Sequence, residues 1–167
     1  MVTRTSTTST TTSKSGGAAI IGADRHASKG PGPDVMDADT LIGDSVVNGA
    51  GEDLGEIKAI MLDVESGRIA YAVLSFGGIL GMGNKLFAIP WSALTLDAGE
   101  KRFVLDIAKD RLDNAPGFDK DSWPTMADAS WATKLHDYYG VKPYWDDIPP
   151  PDPRTSSGSA LHEPRSY

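Results

Sequence analysis

Ser75-Phe-Gly-Gly-Ile-Leu-Gly-Met-Gly-Asn-Lys-Leu-Phe-Ala-Ile-Pro-Trp91 is the stretch around which the rest of the chain reads. An apolar run ends at Phe76, a glycine-rich apolar loop follows, and a second apolar run, Leu86 to Ile89, closes on Pro90-Trp91. The loop glycines permit positive φ or close approach of neighbouring backbone. Pro90 has no N–H to donate, so it suits the end of a strand and not its middle. The pattern is strand, apolar excursion, strand.

Upstream, Glu56 to Val64 has apolar residues at both parities, Ile60, Leu62 and Val64 against Ile57, Ala59 and Met61. That is the pattern of a strand buried on both faces. Glu65-Ser-Gly-Arg68 reads as a hairpin turn, and Ile69 to Phe76, rich in β-formers, as its return strand. A short strand is expected over residues 44–47, before the turn signal Asn48-Gly-Ala-Gly51. Further strands are expected over 86–89, near 94–96 and over 102–108. Short strands, frequent turns and no βαβ alternation predict an all-β core, a small antiparallel barrel.

The outer segments differ in composition. Residues 1–38 are rich in Thr, Ser and Gly and too poor in apolar side chains to offset their ordering entropy, so a disordered arm is expected. The barrel domain is assigned to 39–118, with Leu112 and Ala115 to Phe118 packing back onto its end. Residues 119–145 form a helical extension, with a helix from about Asp128, its N-cap, to Tyr139, and Gly140 at C′. Trp131, Leu135 and Tyr138 fall on one stripe of that helix. Residues 146–167 begin with a proline-rich run and read as a disordered tail.

Composition narrows the function classes. The 167 residues carry 16 Lys and Arg against 23 Asp and Glu, a net charge of −7. Nucleic-acid binding relies on basic patches that neutralise phosphates, so this balance counts against it. There is no cysteine, which removes disulfides, thiolate chemistry and Cys-ligated zinc. No apolar run reaches the roughly 18 residues that span a bilayer, and no signal-peptide core is present. A soluble, cytoplasmic protein is expected.

Four segments carry a family resemblance. Leu41-Ile-Gly-Asp-Ser-Val-Val, Asp53-Leu-Gly-Glu-Ile-Lys-Ala-Ile, Gly67-Arg-Ile-Ala-Tyr-Ala-Val-Leu and Leu86-Phe-Ala-Ile-Pro-Trp together resemble a PRC-barrel domain over about residues 39–110. The resemblance implies a six-stranded β-barrel that serves as an interaction module with no catalytic site of its own. The reaction-centre H subunit of this family adds an N-terminal membrane helix, and the ribosome maturation factor adds a preceding β-barrel domain. Residues 1–38 supply neither. The chain is most similar to the standalone bacterial members, whose C-terminal extension resembles Pro116-Gly-Phe-Asp119 and Asp137-Tyr-Tyr-Gly140.

The polar residues point to little chemistry. Of the histidines His26, His136 and His162, two sit in the expected tails, and His136 beside Asp137 reads as a solvated surface residue. Asp63 and Glu65 flank a turn, where carboxylates are solvated and do not converge for acid–base work. No catalytic, cofactor-binding or metal site is assigned. Trp91 is expected in the core, and Trp123 and Trp145 have no assigned place. The candidate interaction residues are apolar: Phe76, Ile79, Leu80 and Met82 around the glycine-rich loop, and Trp131, Leu135 and Tyr138 on the helix. A homodimer or other homo-oligomer is the expected partner state, with an unidentified protein partner as the alternative. A ribosome- or RNA-associated factor and a small-ligand-binding barrel are the competing functions.

Overall fold

The computed structural model describes residues 17–22, 35–77 and 85–147. In chain order these form strand β1 (Ala19–Ile21), one helical turn α1 (Ala38–Leu41), β2 (Ser45–Val47), β3 (Asp53–Asp63), β4 (Arg68–Phe76), β5 (Lys85–Pro90), β6 (Leu94–Asp97), β7 (Arg102–Leu105), α2 (Lys109–Asp113) and α3 (Ala129–Tyr139). Single 3₁₀ turns lie at Trp91–Ala93 and Tyr144–Asp147.

The strands make one sheet in the order β1-β6-β7-β2-β3-β4-β5. The expected antiparallel six-stranded barrel is corrected on two counts. Seven strands are present among the described residues, and β1–β6 and β2–β7 pair in parallel. The sheet is also open, since β1 and β5 end the order without pairing to each other. Hydrophobic periodicity reports how deeply a strand is buried, but not which strand it pairs with or in which direction. β7 returns from its hairpin with β6 running the same way as β2 and lies along it, Val46 beside Phe103. β1 lies within the arm expected to be disordered. Ala19–Ile21 is too short for any periodic signal; it is held by β6, while Ala18 and Ile20 pack on the core.

The sheet wraps one apolar cluster that includes Val46, Leu54, Ile57, Leu74, Phe87, Ile89, Phe103 and Leu105. Trp91 packs half-buried on it, edge-on to Phe103 at 5.7 Å. Beyond β7 the chain turns at once, the Ile107 N–H donating to the Leu105 carbonyl, so the last strand is shorter than the alternation predicts. Ile107, Leu112 and Ala115 then close the core, as expected for Leu112 and Ala115. Phe118 exchanges two backbone hydrogen bonds with Leu86 at the side of β5, at 2.8 and 2.9 Å.

Two glycines are required by the backbone. Gly55 has φ of +119°, and a Cβ there would fall on the carbonyl oxygen of Ser75 in β4. Gly140 ends α3 at φ +69°, the left-handed C-cap that glycine adopts without strain. At the other end of α3 the Asp128 side chain accepts from the Trp131 N–H at 2.9 Å. Both caps lie where the sequence places them.

Candidate interaction surface

The outer face of β4 and β5 is where α3 docks. Ala70, Tyr71 and Ala88 from the strands meet Ala132 and Leu135 from the helix in a second buried cluster. Small residues on both sides let helix and sheet approach closely, and Trp131 meets the Tyr71 ring edge-on at 5.5 Å. Leu135 and Trp131 of the predicted stripe therefore face the chain's own sheet. Tyr138 turns instead toward α2: its hydroxyl donates to the Arg111 carbonyl, Arg111 donates back to the Tyr138 carbonyl, and the guanidinium lies over the ring. The helix buries a wider face than the stripe implied, through Ala132, Leu135 and His136.

His136 corrects the sequence reading most sharply. It is only 1% exposed. Its Nδ1 lies 2.8 Å from the Ala132 carbonyl, which can only accept, so Nδ1 carries the hydrogen. The rings of Trp145, Tyr71 and Tyr144 surround it at 5.1, 5.7 and 6.1 Å. Nε2 and the Tyr71 hydroxyl are buried without a hydrogen-bond partner among the described residues. Burial pushes the Tyr71 hydroxyl far above its ordinary value, and the nearby Tyr144 and Asp63 push in the same direction. Histidine and alanine carry weak hydropathy, so a stripe drawn through large apolar residues passes them by. Trp123, the other tryptophan without an assigned place, is 44% exposed and tilts over Phe118.

The turn after β3 ties this cluster to the hairpin. Asp63 accepts from the Ser66 and Glu65 N–H groups, and Arg68 donates to the Tyr144 carbonyl at 2.8 Å. The Ser66 hydrogen bonds, then those of Glu65 and Tyr144, hold the Asp63 carboxyl below its ordinary 3.8. A lowered folded-state value means the contribution is fully present above 3.8 and is lost as pH falls through the folded pKa. An NMR titration of the Asp63 carboxyl is expected to give a midpoint below 3.8; a midpoint above it would break the assigned turn.

Phe76, the remaining candidate within the described residues, is half-buried against Phe87 at 6.0 Å, with the Lys109 ammonium over its ring at 5.8 Å. It borders a cleft of about 620 Å³ whose charged lining is Asp53, Glu56, Lys109 and Asp113. Ile79, Leu80 and Met82 lie outside the described residues.

The hairpin tip supplies apolar surface that the sequence placed inside. Leu62 is 63% and Val64 91% exposed. β3 was expected to be covered on both faces, but it outruns β2, which pairs only with its Asp53–Glu56 end. Among the described residues no group of three His, Asp or Glu converges as a metal site, and no helix is long and apolar enough to cross a membrane.

The sheet, its order and the long β3–β4 hairpin are the setting for the family comparison. Residues 33–112 match the family model of the PRC-barrel domain. The chain carries a PRC-barrel domain. The match covers α1 and β2 to β7 and ends within α2 at Leu112, and it leaves α3 with its aromatic cluster outside the family region. No curated protein matches the sequence significantly. PRC-barrel domains form a family of protein-interaction modules, and the apolar hairpin tip lies within the matched region.

Proposed function

We propose that the protein is a soluble, non-enzymatic interaction module that self-associates and serves as an adaptor or assembly protein. The observation that carries this is the position of its apolar side chains. Trp131 and Leu135 of the helix stripe face the chain's own sheet, whereas Leu62 and Val64 project into solvent from a PRC-barrel domain. Large exposed apolar side chains next to one another mark surfaces that are covered in a complex.

Light scattering of the full chain across a concentration series tests the reading. A mass that rises toward twice that of the 17.7 kDa chain is expected. A constant monomer mass would contradict self-association. The cleft beside Phe76 favours a second reading, a small polar ligand held between Lys109 and the carboxylates of Asp53 and Glu56. Native mass spectrometry of the purified full chain would show such a ligand as an added mass.

A further inference from the structure

β3 has two edges, and one of them is only half used. Its inner edge pairs with β4 from Glu56 to Asp63. Its outer edge pairs with β2 at Asp53 to Glu56, and the Ile57 N–H and carbonyl bond to Asp44 and Gly43. From Lys58 to Leu62 no backbone hydrogen bond outside the β3–β4 ladder is made among the described residues. Unpaired N–H and C=O groups along a strand are a template for another strand. Here that template also carries the exposed Leu62, with Val64 just beyond it.

We infer that this free edge, Lys58 to Leu62, pairs antiparallel with the same edge of a second copy across a two-fold axis. The inference rests on the self-association proposed above and names its surface. Charge selects the occupant and its direction. The segment is basic at one end, Lys58, and acidic at the other, Asp63 followed by Glu65. A parallel second copy sets lysine beside lysine; an antiparallel one sets each lysine beside the acidic end of its mate.

The register follows from the pleat. A two-fold axis perpendicular to the sheet keeps each side chain on its own face, so a residue at the axis opposes itself. With Met61 on the axis, Ile60 of each copy stands opposite Leu62 of the other. Lys58 then lies directly opposite Val64, at the end of the second copy's segment that carries Asp63 and Glu65. Directly opposed apolar side chains are the stabilising unit of an antiparallel pair, and this register makes the Ile60–Leu62 pair twice. The register shift between Ile57 and Ala59, where Lys58 is skipped in the pairing with β4, confines the new ladder to a short segment. Pairing also consumes the free edge in both copies, so the assembly closes as a dimer.

Light scattering of the full-length Leu62→Lys variant beside the wild type tests the edge. Leu62 is mostly exposed within one copy, so circular dichroism is expected to stay unchanged, as is Tm at concentrations where the wild type is monomeric. The dimer dissociation constant is expected to rise about tenfold or more, because each dimer loses two apolar pairs and gains two charges. Val64→Lys, which sets lysine opposite Lys58, is expected to weaken the dimer and Val64→Glu to strengthen it, which decides the matter even if Leu62→Lys loses its fold, since Val64 is 91% exposed. A dimer indifferent to Leu62→Lys and Val64→Lys would overturn this surface and leave the interaction module standing. A wild-type monomer at every concentration would overturn self-association as well.

Discussion

Gly55→Ala is expected to destabilise the domain by at least about 3 kcal/mol, a strained backbone and a steric clash acting together. At φ +119° an L-residue is strained whatever the space around it, and the space is filled: the added Cβ would meet the Ser75 carbonyl of β4. Relief requires β3 and β4 to separate where Leu54, Ile57 and Leu74 build the core. For a domain of this size the loss corresponds to a fall in Tm of more than about 12 °C. Thermal and urea unfolding of the variant measure it. A loss below about 1 kcal/mol, the ordinary scale of a point substitution, would mean that the two strands do not approach at Gly55.

Leu135→Ala is expected to cost about 3 kcal/mol through lost burial and the cavity left behind. Leu135 is 2% exposed and sits between Ala70, Tyr71 and Ala88 of the sheet. Because the contact is within one chain, the loss is expected to be independent of protein concentration. The exposed neighbour Lys134 supplies the control, since its replacement by alanine is expected to change stability by less than about 0.5 kcal/mol. A loss at Leu135 that vanishes on dilution would place α3 on another copy's sheet.

Where a residue's local chemistry fixes its conformation, the sequence was readable. Asp128 and Gly140 marked the ends of α3 because an acceptor at the N-cap and a left-handed glycine at C′ act within one turn. Pro90 marked the end of β5 for a comparable reason, and Ser66-Gly67 the turn between β3 and β4. Pairing depends on partners distant in sequence, which local chemistry does not encode. Nothing in Arg102–Leu105 announces that it lies parallel to β2, and Ala19–Ile21 gains its strand only from β6.

The candidate surface divides the same way. Trp131, Leu135 and Phe76 were identified as apolar and placed for contact, but sequence alone does not tell an internal contact from an external one. His136 was read as solvated because Asp137 follows it, although the helix turns the two side chains in different directions. Its spacing of four from Ala132 and one from Leu135 was the available signal. Leu62 and Val64 presented the opposite difficulty. Their apolar character implied burial, and only the short reach of β2 shows that one edge beside them is open.

Hydrogen–deuterium exchange of the full chain at low and high protein concentration tests the central claim most directly, because backbone amides report pairing residue by residue. Protection is expected to rise with concentration in Lys58 to Leu62 and to stay unchanged in Ala129–Tyr139. Concentration-dependent protection in α3, with none gained along Lys58 to Leu62, would contradict it.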